Sequence, residues 1–334
     1  MNVKKLLCSS AFMMSLAVIV SLATNFSDVL VDVFAPTGQL NSGMRSNLTI
    51  FFLAVMMTIS LSRIPSKSLS PTEDPKSIVR GIVMGLIIPA IIPIIGFLLL
   101  KHYDLGGMYA WGLVFIAATP FAASVAPLSL IMRGDMVHAA RSTIYVYIVS
   151  LLWIPFIIWA LLGENVEMSS ITITVFEVIG VPIIVSRFIT WVKIDKTIMS
   201  IVLNCIIFFL VWLSASAADF RTVGIWILIA FLVIAALRTF LLGNLVNIGE
   251  KKLGIKWDQR VTDILMTSYK NKGIALALCA AVLVGPAIPQ AMVAITASIV
   301  IEVCWVAFMD TFLFSEKKMK MALAEEEASK VAES

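Results

Sequence analysis

The chain has 334 residues, of which 60% are hydrophobic and only 14% charged. A soluble domain runs nearer half apolar and a quarter charged, so the apolar excess must face something other than water. The net charge of +4 is small, and no basic tract stands interleaved with aromatics, which argues against a nucleic-acid partner.

The apolar residues fall in runs of about 20, the length at which a helix crosses the hydrocarbon of a bilayer. The alternating strands of a membrane barrel are missing from the sequence, so helices must satisfy the backbone. In chain order, ten segments are expected, near 7–26, 46–63, 79–100, 108–131, 141–162, 170–191, 198–217, 223–245, 261–284 and 288–314. The start Met1-Asn2-Val3-Lys4-Lys5 also fits a cleaved signal peptide, but the charge distribution favours a retained first helix. Cys8, Cys205, Cys279 and Cys304 sit in or at apolar segments with no CxxC or Cys/His spacing. They read as small packing residues, not disulfides or metal ligands.

Basic residues gather on the cytoplasmic side of membrane proteins. With both termini cytoplasmic, the inner segments hold Lys4, Lys5, Arg63, Lys67, Arg80, Arg141, Arg187, Lys193, Arg238, Arg260 and most other cations. The outer segments hold only Arg45, Lys101 and Arg221, and Lys270 and Lys272 remain inside the ninth segment. Merging or splitting one helix would invert this bias for every later loop. The expectation is therefore a multi-pass protein of the cell membrane with both ends inside. A ten-helix domain covers 1–314, and 315–334 form a charged, Ala/Glu-rich cytoplasmic tail.

Five plus five helices give halves of opposite topology, repeat one about 1–165 and repeat two about 166–314. The fourth and ninth segments then correspond. A polar or Pro-broken segment in matching places is the best sequence pointer to a transporter site. The fourth carries Pro120 and Pro127, seven apart, with Ser124 among small residues between them. Each proline removes a backbone donor and disturbs the turn before it, although one alone also fits an ordinary kink. The ninth carries Thr267-Ser268-Tyr269-Lys270-Asn271-Lys272-Gly273, a polar run about ten residues beyond Arg260 and so near mid-membrane. A charge at the bilayer centre costs at least about 2.5–3.5 kcal/mol, so these lysines need partners. Glu302 in the tenth segment is one, Glu177 in the sixth another. The expected site comprises Lys270, Asn271, Lys272, Tyr269, Ser268, Thr267, Ser124 and Glu302, with helix breaks at Pro120, Pro127 and Gly273.

These stretches resemble the bile acid:sodium symporter family. Thr119-Pro120-Phe121-Ala122-Ala123-Ser124 through Leu130-Ile131-Met132-Arg133-Gly134-Asp135 is similar to its fourth-helix motif. Tyr269-Lys270-Asn271-Lys272-Gly273-Ile274-Ala275 is similar to its ninth, and Asp74-Pro75-Lys76 also fits. The resemblance covers almost the whole chain. It implies an all-α fold of about ten transmembrane helices in two inverted five-helix repeats. A panel would hold the first, second, sixth and seventh helices and a core the rest, with broken helices 4 and 9 crossing at mid-membrane. It also implies alternating-access transport of organic anions, normally with sodium bound beside the crossing.

The sodium-ligand positions depart from that pattern. Val125 and Ala126 replace a Ser-Asn pair, Met266 a glutamate, Lys270 and Met84 glutamines, and Ala139 another ligand; Thr143 and Asn271 survive. A hard cation needs about six oxygens, and most are gone. The Lys270 ammonium is a substitute for the ion. The implied protein is a secondary transporter of a small organic anion, proton-coupled or uncoupled, with no cofactor and a doubtful sodium site. The alternatives are a sodium-coupled symporter with altered ligands, or a channel or sensor on the same fold. An enzyme is not expected: HExxH, paired aspartates and a Ser–His pair at matched depth are missing, as is the phosphate-cradling GxxxxGK of an ATP-driven pump. The implied partners are the lipid bilayer and the anion; oligomeric state carries no sequence signal.

Overall fold

The computed structural model is predominantly helical over the residues it describes, which are 7–8, 10–27, 30, 33, 41–64, 75–190, 195–315, 317–322 and 324. Lys4, Lys5, Lys67, Asp74, Lys193 and the tail from 325 lie outside them. In order come α1 (Ser10–Phe26), α2 (Ser42–Ser62), α3 (Pro75–His102), α4 (Trp111–Ala118) and α5 (Val125–Ile131). Then follow α6 (Met136–Leu162), α7 (Met168–Phe188), α8 (Lys196–Ala215) and α9 (Ile225–Lys252). The last are α10 (Trp257–Ser268), α11 (Lys272–Val282) and α12 (Ala287–Phe308), which runs on through a π turn at Met309–Leu313. Seven of these helices are long and apolar enough to cross a membrane, and the shorter apolar helices include Phe12–Phe26, Gly107–Ala118 and Lys272–Val282. The molecule is an integral membrane protein.

Side chains fix several helix starts. Asn41, Asp135, Asp195 and Asn271 each accept from a free amide of the first turn, opening α2, α6, α8 and α11. Gly163, at φ 58°, closes α6 in a conformation that favours glycine.

Packing divides the helices into two groups. α1 lies along α8, and α2 along α7 and α8. In the other group α3 packs on α4 and α6, α9 on α10 and α12, and α12 on α4. α2 meets α11, and α12 meets α1, where the groups touch. α7 also packs on α6 and α11, so the two groups are joined along that side as well. The exposed residues are largely apolar, such as Leu152, Trp226 and Phe188, as lipid-facing surfaces require.

The helix limits correct the sequence reading in one respect. Arg80, Arg141, Arg238 and Arg260, assigned to inner segments flanking the spans, all lie within helices. Arg238 is 1% exposed. Arg238, so enclosed, pairs inside the protein with Glu302 and carries no weight in a loop-charge comparison.

Candidate functional site

α4 and α5 are separated by an extended break at 119–124, and α10 and α11 by one at 269–271. The two breaks meet through an antiparallel bridge between Phe121 and Lys270. Asn271 N donates to Pro120 O at 2.8 Å and Ala122 N to Tyr269 O at 2.9 Å. Breaking a helix inside an apolar protein frees backbone groups that must find partners. Here the two breaks satisfy one another, and side chains cover the rest. Tyr147 Oη, from α6, donates to Phe121 O at 2.9 Å. Arg238 Nη1 donates to Ser268 O at 2.9 Å.

Lys270 is 1% exposed. Its Nζ donates to Thr119 O, and to Ala117 O at 3.4 Å, where α4 ends. These are end-of-helix carbonyls, which carry the negative end of the helix dipole and favour a cation. Its own amide points at Glu302 Oε1, 3.4 Å away. Lys272 opens α11 and places Nζ 2.9 Å from Glu302 Oε1. Glu302 is fully buried in α12 and also pairs with Arg238. So one carboxylate lies among three basic groups. Glu177, the other expected partner, is exposed on α7.

Arg238 is the residue the sequence reading missed as part of the site. It rides on a π turn, Leu237–Leu241, in α9. Such a turn inserts a residue into the helix and re-aims a side chain. A second π turn, Val83–Ile87 in α3, brings Gly85 against the ring of Phe121, where a Cβ would collide with it. The available signal for Arg238 was its position, well inside the apolar run 223–245.

The other expected residues divide. Asn271 accepts from Ile274 N at 3.1 Å and donates to Tyr147 Oη at 3.1 Å, coupling the second break to α6. Tyr269 Oη reaches Met14 Sδ of α1 at 3.1 Å, with Ser124 within hydrogen-bonding reach. Ser268 Oγ accepts from Trp305 Nε1 at 2.7 Å. Thr267 Oγ1 donates to Asp263 O at 2.8 Å and lies 3.6 Å from Met84 Sδ. Thr143 Oγ1 is turned to Ala139 O on its own helix, so it packs beside the crossing by burial alone. Pro120 lies in the first break as expected. Pro127 does not break a helix: it sits in the first turn of α5, where its missing N–H has no intrahelical acceptor. Gly273 is likewise helical; a Cβ there would meet Leu53 of α2 at 3.0 Å, so its role is close approach. Around the crossing the packing is tight. A cavity of about 240 Å³ opens elsewhere, lined by Phe97, Lys101, Trp111, Leu162 and Asn165.

Residues 48–237 match the Sodium Bile acid symporter family, over more than half of the chain. The matched stretch holds the first break and ends one residue before Arg238. No curated protein matches the chain.

Proposed function

We propose, for a chain that belongs to the sodium bile acid symporter family, that it moves a small organic anion across the cell membrane by alternating access, without binding sodium. Family membership alone makes it a membrane transporter; the substrate, coupling and cycle are our reading. The reading includes ten spans in two inverted five-helix repeats and cytoplasmic termini.

One observation carries it: the Lys270 ammonium sits on the Thr119 and Ala117 carbonyls at the broken end of α4. A free cation would need those same oxygens. Glu302, the carboxylate nearest the crossing, is already shared by Arg238 and Lys272. With its carbonyls and carboxylate occupied by the protein's own cations, the crossing offers a hard cation few oxygens. Transport is then proton-coupled or uncoupled. Three basic groups around a single carboxylate also leave an excess of positive charge, which suits an anionic substrate. The apolar partners Leu53, Met57 and Met14 on the facing helices suit its hydrophobic part.

Purified protein in liposomes tests this, with labelled carboxylates and sulfonates and with sodium and pH varied independently. Uptake should persist when potassium or choline replaces sodium, and Lys270→Ala should slow it at least tenfold. A saturable requirement for sodium together with full activity of Lys270→Ala overturns the reading. Uptake that substrate on the opposite side fails to accelerate identifies a channel.

A further inference from the structure

Away from the crossing, at the end of the bundle where α3 and α6 begin, four helices share a second buried polar network. His138 of α6 stands between Ser77 of α3 and Asp263 of α10: Nδ1 meets Ser77 Oγ, and Nε2 lies 3.0 Å from Asp263 Oδ1. The other oxygen of Asp263 accepts from Arg80 Nε of α3, and Arg80 Nη2 reaches Glu250 Oε1 of α9 at 2.7 Å. Ser77, His138, Asp263 and Glu250 are buried; the Arg80 side chain, 22% exposed, is where the network reaches the surface. A Ser–His pair at matched depth therefore exists, contrary to the sequence expectation.

It is not arranged for nucleophilic catalysis. Ser77 is 3% exposed, so a substrate carbonyl has no approach to its oxygen. What the arrangement does suit is a proton. Asp263, held by Arg80, is an acceptor only, so Nε2 carries a hydrogen and Nδ1 of the neutral ring is a lone pair. Ser77 then donates to Nδ1. When a proton adds to Nδ1, the serine hydroxyl rotates and its oxygen accepts from the new N–H. Both ring states are fully hydrogen-bonded without moving a heavy atom. The other charged groups at this end are Asp135 and Arg141 on its own helix, Lys76 beside Ser77 on α3, and Asp258 and Arg260 on α10, where Asp135 N donates to Asp258 O at 3.0 Å. Asp135 accepts the His138 amide at 2.9 Å. Of the other helices packed on α6, α4 carries no titratable group; Arg133, just beyond α5, turns to Phe314 O, and Arg187 of α7 to Leu61 O and Ile64 O.

We propose that Ser77, His138 and Asp263 form a proton-binding site that takes one proton from water at this end of the bundle and so sets how firmly α10 is tied to α3 and α6. Imidazole is the side chain whose ordinary titration falls in the physiological range. Its effect has a route: Asp263 O accepts from Thr267, one turn before the break that holds Lys270. The site extends the transporter reading to regulation by pH, but proton binding itself can be tested without a substrate.

The chain has two histidines, so His102→Gln leaves His138 as the sole imidazole. His102 is exposed at the end of α3, and its replacement leaves the fold intact. Nitrogen-15 NMR of histidine-labelled protein, scanned from about pH 8 to about pH 5, should show the His138 ring taking up one proton. Asp263→Asn and Ser77→Ala should each displace the midpoint by about one pH unit or more. A ring whose shifts stay constant over that range, or whose midpoint ignores both variants, overturns the proposal. In liposomes, His138→Gln should flatten the pH dependence of uptake. An unchanged pH profile in that variant overturns the link to α10. A wild-type protein that transports nothing counts against the proposed function and leaves the NMR result standing.

Discussion

The crossing and the Ser77–His138–Asp263 network are both buried, both polar and both charged, yet they are built on opposite plans. At the crossing three basic groups surround the single carboxylate of Glu302, and the lysine least able to reach it is seated on helix-end carbonyls. In the network two carboxylates share one arginine, and a histidine closes the chain. The first set seats basic side chains on one carboxylate and on helix-end carbonyls. The second contains a group able to change charge without moving.

Removing the hub of each region should separate them most sharply. Glu302→Gln strips a carboxylate from among Arg238, Lys270 and Lys272, and breaking a buried ion pair from one side costs about 3–5 kcal/mol. Thermal unfolding in detergent should show the largest loss of any single change here. Asp263→Asn leaves Arg80 with Glu250, so the expected loss is smaller, about 1–3 kcal/mol. Equal losses would mean that the two regions are equivalent.

Tyr147→Phe removes the donor to Phe121 O and the acceptor for Asn271. Leaving those buried groups unpaired should cost about 1–3 kcal/mol in the same assay, and with it slow uptake. Gly85→Ala forces a methyl group against Phe121 and should cost about 1–3 kcal/mol by overpacking. Glu177→Gln, on the exposed face of α7, should stay within about 0.5 kcal/mol of the parent. A large loss there would return Glu177 to the list of buried partners.

The long apolar helices were legible because lipid imposes length and composition on a helix whatever its neighbours are; seven reach spanning length, and the expected count of ten is not settled by them. The broken segments were legible for a related reason: Pro120 and the polar run from Thr267 to Lys272 contradict the apolar sequence around them. Partners were not. Whether Glu302 or Glu177 meets Lys272 depends on helix rotation, which apolar runs do not encode. Arg238 was misread because a long basic side chain can reach water from within a span, whereas the π turn at Leu237–Leu241 directs this one inward. Pro127 and Gly273 were read from residue type, though a proline in a first turn is at ease in a helix and a glycine also serves to admit a neighbour. The Ser77–His138 pairing joins residues 61 apart on different helices, and no local pattern announces such a meeting.

The bridge between Phe121 and Lys270 also constrains how the chain can be made. Its partners lie about 150 residues apart, since Thr119 and Lys270 are separated by 151. During synthesis α4 and α5 enter the bilayer long before α10 and α11 exist. Until then Pro120 O and Ala122 N have no partner in the finished sense, and an unsatisfied backbone group in hydrocarbon costs several kcal/mol. The first half must therefore wait in a strained or hydrated form, and maturation ends when the second half docks. Two separately expressed halves, cut in the link between α6 and α7, should each be short-lived alone and should rescue one another when made together.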